Sequence, residues 1–199
     1  DALGGNDTVQ LGSGNDVAIA GSGPSHYDGG SGNDTLSISS ASGVDLDLAA
    51  NTVIGVTFTG VTFEDFESVI GSFTGDDTIS GTSGANVIQG SGGNDRVFDL
   101  GGADSVDLGD GDDYVRAGGG ADTYFGGADD DYISYYDSSG GVNLDFAANS
   151  ATGSWANNDI VLDFEGASGS NTGNDTLRGT DGESILRGYG GDDRLHGRG

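Results

Sequence analysis

Between residues 77 and 131 every ninth position carries Asp or Asn: Asp77, Asn86, Asp95, Asp104, Asp113, Asp122 and Asp131. Two residues after each stands an apolar residue: Ile79, Ile88, Val97, Val106, Val115, Tyr124 or Ile133. Two residues before each is Gly75, Gly84, Gly93, Gly102, Gly111, Gly120 or Asp129. A period of nine rich in Gly cannot be read as helix. Each unit reads as a turn of six Gly/Asn/Asp-rich residues needing positive φ, then a strand of three with its middle side chain buried. The same register returns at both ends, as Asp7, Asp16, Ser25 and Asp34, and as Asp175, Ser184 and Asp193.

A longer repeat overlies the short one. "VDLDLAANTVIG" from Val44 recurs as "VNLDFAANSATG" from Val142, and "TGDDTIS" from Thr74 as "TGNDTLR" from Thr172, both offset by 98 residues. "DFE" at Asp65–Glu67 likewise returns at Asp163–Glu165. The chain divides into a first repeat block (1–36), an inserted β segment or cap (37–70), a central block (71–134), a second insert repeating the first (135–168) and a truncated third block (169–199). Alternating runs such as Val44, Leu46 and Leu48 give the inserts longer, half-buried strands. A solenoid stopping inside a unit would expose an unpaired edge, so the chain is expected to belong to a longer polypeptide.

Acidic residues number 33 against 6 basic ones, none of them Lys, for a formal charge of −27. Nucleic acid and anionic membrane surfaces are therefore excluded as partners, and no apolar run is long enough to span a membrane. Without Cys there is neither disulfide nor thiolate site. If units alternate between two facing sheets, a coil takes 18 residues and like carboxylates stack ~4.8 Å apart. At 4 Å each pair repels by about 1 kcal/mol in water and about 4 at an effective dielectric of 20. Divalent cations between the turns reverse that sign. Carboxylates and turn carbonyls are hard donors on flexible backbone, which selects calcium over zinc, copper or magnesium, and several ions are expected.

Units such as "LGSGNDVAI", "GGSGNDTLS" and "GGADDDYIS" resemble the nonapeptide of the repeats-in-toxin (RTX), haemolysin-type calcium-binding family. The resemblance implies an all-β fold, a right-handed parallel β-roll (β-solenoid) built from nonapeptides, with β-rich inserts between roll blocks. By position it implies metal ligation by Asp7, Asp16, Asp34, Asp77, Asp95, Asp104, Asp113, Asp122, Asp131, Asp175 and Asp193. Carbonyls of Gly93, Gly102, Gly109, Gly111, Gly118, Gly120 and Gly127 would complete the sites. Ser25, Asn86 and Ser184 each remove a charge from their site, and Leu3, Thr82 and Leu100 occupy loop positions where the family prefers Gly.

The implied function is a non-enzymatic calcium-binding module of a secreted bacterial protein. It would leave the cell unfolded through a type I channel, fold outside as a monomer and stabilise or present an attached effector domain. An adhesin or surface-layer segment with calcium-dependent assembly is the alternative; a polysaccharide-acting parallel β-helix enzyme is the third reading. Turn geometry accounts for Asp76, Asp112, Asp130 and Asp192, whose counterparts elsewhere are Asn6, Asn15, Asn33, Asn94 and Asn174. His26 and His196 are expected at the surface. Tyr124, Phe125, Tyr132, Tyr135, Tyr136 and Trp155 are expected to pack against an insert, and Arg178, Arg187, Arg194 and Arg198 to pair with acids.

Overall fold

The computed structural model describes residues 5–198. Two facing sheets of 11 strands each, nearly all parallel, are built from strands of three to six residues. Successive units alternate between the sheets, so residues one coil apart pair in register. Thr78, Arg96, Tyr114 and Tyr132 form one such row, and Val87, Ser105 and Thr123 another in the opposite sheet. The interior is one row of side chains from each sheet: Ile79, Val97, Val115 and Ile133 from the first, Ile88, Val106 and Tyr124 from the second, all 0% exposed. Each contributes about 1.5–3 kcal/mol by burial, and in longer strands a second apolar residue two positions on, such as Ile38 or Leu108, adds to the row. The chain is thus a parallel β-roll.

Both inserts contribute strands to the sheets themselves, between roll strands, and do not lie across an end. In the first, the chain overshoots to pair Asp45–Asp47 parallel with Thr78–Ser80. It returns antiparallel as Thr52–Ile54, then closes as Thr62–Glu64 against His26–Asp28. The second copy, Val142–Asp145, Ser150–Gly153 and Asn157–Leu162, makes the same excursion in the opposite sheet. Seven nonapeptide units and the strand Ser68–Ile70 that closes the first insert separate the two copies, so the second falls on the other side and both sheets reach 11 strands.

The insert hairpins turn by the same chemistry. Asp47 accepts the Ala50 N–H at 2.9 Å, while Asp145 accepts those of Ala147 and Ala148 at 3.1 and 3.3 Å. Asn51 and Asn149 then take the left-handed conformation, at φ 57° and 52°, that Asn tolerates better than other side chains.

Tyr124 and Tyr135 are fully buried, Tyr132 and Tyr136 are half-buried, and Phe125 is partly exposed. Trp155 packs over the Gly119 backbone. His196 is exposed, and the partly exposed His26 ring lies between Thr62 and Glu64. The expectation that the C-terminal arginines pair with acids needs correction. Arg198 does bind Asp145, at 2.8 Å, but Arg178 donates to the Asn143 side chain and Arg187 lies over the Tyr132 ring. Asp145, the ladder partner of Arg178, is already engaged by Arg198 and by its own turn amides.

Candidate metal centres

The register residues form two columns, one at each edge where the chain passes between sheets. One runs Asp77, Asp95, Asp113, Asp131; the other includes Asp16 and Asp34, then Asn86, Asp104 and Asp122, with Asp175 and Asp193 beyond the second hairpin. One contact repeats along both. The Oδ1 of each carboxylate accepts the backbone N–H of the register residue one coil earlier: Asp77 to Asp95 at 2.8 Å, Asp95 to Asp113 at 2.6 Å, Asp113 to Asp131 at 3.0 Å. Asn86 to Asp104, Asp104 to Asp122, Asp16 to Asp34 and Asp175 to Asp193 repeat it at 2.7–2.9 Å.

Turn capping therefore uses one oxygen and leaves the other. Oδ2 of Asp16, Asp34, Asp95, Asp104, Asp113 and Asp131 is buried without a hydrogen-bond partner. An unsatisfied buried carboxylate oxygen is costly, and a row of them is a set of vacant hard-oxygen donors suited to calcium. The glycine loops nest as closely as backbone permits. A Cβ on Gly111 would lie 2.2 Å from the Gly93 carbonyl oxygen, one on Gly120 1.9 Å from that of Gly102, and one on Gly109 2.0 Å from that of Ser91. Gly127 is packed as tightly on Gly109, at 1.9 Å, and Gly93, Gly102 and Gly118 nearly so on Gly75, Gly84 and Leu100, at 2.5–2.6 Å, so successive loops nest closely along the roll.

Burial is the main cause that raises these carboxyls in the metal-free fold. It carries Asp95 to about 7, Asp104 and Asp113 to about 6 and Asp131 to about 8, with the backbone N–H bonds opposing it. Acidic neighbours add to the rise: Asp122 for Asp104, Asp113 and Glu165 for Asp131. Asp77, Asp122 and Asp175 are raised for the same first reason.

The candidates differ in what already serves them. Asp77 and Asp175 open their blocks and are bonded by Ser72 and Ser170, which donate hydroxyls at 3.0 and 3.1 Å. Asp122 Oδ2 lies 3.1 Å from the Tyr124 hydroxyl. Asp16 and Asp193 are half-exposed and Asp7 is exposed, its N–H bonded to the Ser25 hydroxyl at 3.3 Å. Asn86 spends its Oδ1 on the Thr82 N–H at 2.7 Å and its amide on the Glu67 carbonyl. Leu100 is forced to φ 70°, while Leu3 lies outside the described residues.

Four acids outside the strict nine-residue register join these edges, three of them as rungs of the columns. Glu67 and Glu165 stand one rung beyond Asp34 and Asp131 and accept their N–H groups, both at 2.9 Å. Ser184 thereby gains Glu165 as its column neighbour. Asp159 does the same for Asp122 at 3.0 Å, with its Oδ2 bonded to Tyr135 at 2.8 Å. Each is followed two residues later by a buried Val69, Ala167 or Val161, the same acid-to-apolar spacing shifted out of phase by the inserts. The fourth, Asp99, is fully buried beside Asp104 and Asp122, where a carboxylate oxygen from each lies within 4.8 Å of the others.

A second, exposed ladder lies one residue earlier: Asn94 N–H to Asp76, Asp112 to Asn94, Asp130 to Asp112, and Asp192 to Asn174, at 2.8–3.3 Å. Either Asp or Asn offers the single acceptor required, which is why the two interchange there. Asp113→Asn is accordingly expected to shift the calcium midpoint of folding upward several-fold, and Asp112→Asn, with the same change in charge, by less than about twofold. Parallel calcium titrations of the two variants measure the difference.

A parallel roll whose seams hold columns of carboxylates and nested glycine loops defines a calcium-binding repeat module. The chain belongs to the RTX calcium-binding nonapeptide repeat family, whose model matches residues 1–36, 72–98, 99–133 and 169–199. A search of curated proteins returned no match.

Proposed function

We propose that this β-roll is a non-catalytic folding switch for a longer, exported polypeptide: disordered where calcium is scarce, folded on meeting extracellular calcium, and then stabilising or presenting what is attached to it. The six buried, unpartnered Oδ2 atoms of the column carboxylates carry this reading, because they make the folded state incomplete without cations. Repeats of this family are typical of secreted bacterial proteins, and type I export suits a chain kept unfolded in a calcium-poor cytosol. No helix among the described residues is long and apolar enough to cross a membrane.

Ions that bind only the folded chain stabilise it by mass action at every occupied site. Extracellular modules of low affinity respond at about 0.1–1 mM. Circular dichroism during calcium titration is expected to register cooperative strand formation in that range. Full strand signal in calcium-free buffer at neutral pH would refute the switch. Calcium-dependent self-association in sedimentation velocity would move the role towards the adhesin or surface-layer reading.

A further inference from the structure

We propose that Asp99 is a third carboxylate ligand that makes the Asp104–Asp122 seam the tightest calcium site of the roll. The assignment rests on the calcium reading of the columns and extends it to a residue outside the nine-residue register.

At several register residues the position five earlier lies against that residue's side chain. Ser72 and Ser170 occupy it and donate to Asp77 and Asp175. Gly90 and Gly188 occupy it elsewhere, where a Cβ would come within 2.2 Å of Asp95 and Asp193 Oδ2. Asp99 places an acid at this position, against Asp104, with no exposure to solvent. The local donors are too few for three carboxylates. The Tyr124 hydroxyl oxygen lies 2.5 Å from Asp99 Oδ2 and 3.1 Å from Asp122 Oδ2, and its one proton can be donated to only one of them. Asp99 Oδ1 and Asp104 Oδ2 are both buried with no partner, and among the described residues no arginine forms an ion pair with any of the three.

The geometry suits one ion. Oxygens within 4.8 Å of one another need to move by no more than about 0.2 Å to lie at 2.3–2.6 Å from a common centre, the calcium–oxygen range. Glycine at 118 and 120 leaves room for the carboxylates, since a Cβ there would stand 2.7 Å from Asp99 Oδ1 and 2.5 Å from Asp122 Oδ1. Calcium affinity rises with ligand charge, and this seam offers three buried carboxylates where the repeating pattern offers two.

Asp99→Asn separates this role from a purely structural one, because Asn reproduces the shape and hydrogen bonding of a neutral acid but carries no charge. Withdrawal of calcium from the folded, calcium-loaded wild-type chain by a chelator of known affinity is expected to leave one ion bound after the rest have been removed. Terbium, as a calcium analogue, should fill that site first with strong tyrosine-sensitised emission, given the nearby Tyr124 ring. In Asp99→Asn, and in Asp99→Gly, which restores the commonest residue at this position, that site should weaken roughly tenfold or more while the others stay unchanged. An unchanged tightest site in both variants would overturn the assignment while leaving the column reading intact. Absence of calcium uptake by the wild-type chain would overturn both.

Discussion

Calcium-free protein that lacks strand structure at pH 8 is expected to regain much of it at pH 5. In the metal-free fold, burial lifts Asp95 to about 7, Asp104 and Asp113 to about 6, and Asp131 to about 8, against roughly 3.9 for Asp in an unfolded chain. A carboxyl whose folded value is raised binds its proton more tightly in the fold, so protons favour folding. That stability is fully present below about pH 4 and is lost as pH rises through about 6 to 8. Across the columns the effect is on the order of several kcal/mol, comparable with the whole stability of a domain. Protons and calcium thus answer the same problem, and far-UV circular dichroism of dialysed protein between pH 4 and 9 tests it. Strand signal that falls on acidification, or stays constant, would mean that column charge is not what opposes folding.

The second large effect is steric. Gly127 adopts φ +122°, and a Cβ there would stand 1.9 Å from the Gly109 carbonyl oxygen, a backbone atom that cannot swing aside. Gly127→Ala is expected to cost roughly 2–6 kcal/mol, combining a strained conformation with overpacking of one loop on the next. Gly197→Ala, which has no atom within 4 Å, is the matched control and should be close to neutral. Thermal unfolding of the two variants at saturating calcium gives the comparison. Equal stability would mean that the loops do not nest as described.

The roll itself was legible because its repeat is local. The nine-residue beat sets the strand length, the two-residue offset from Asp77 to Ile79 sets which side chain is buried, and 18-residue stacking follows from alternation between sheets. What stayed hidden is what the inserts do to that beat. Glu67, Asp159 and Glu165 continue the columns, but only once the antiparallel hairpins are threaded does each fall beside its partner. The overshoot and return that produce this depend on non-local pairing, which periodicity does not encode. Asp99 was hidden for another reason: in a chain so rich in Asp, one more beside a glycine run carries no signal until its burial is known.

Between the two hairpins lie the seven nonapeptide units and the strand Ser68–Ile70 that closes the first insert, and the parity of that count decides on which broad side the second one emerges. Losing or gaining a single nonapeptide would put both hairpins on one side, lengthening that wall by four extra strands while the other gained none, and would bow the rod. The two walls stay equal in strand number only when this stretch changes by two units at a time.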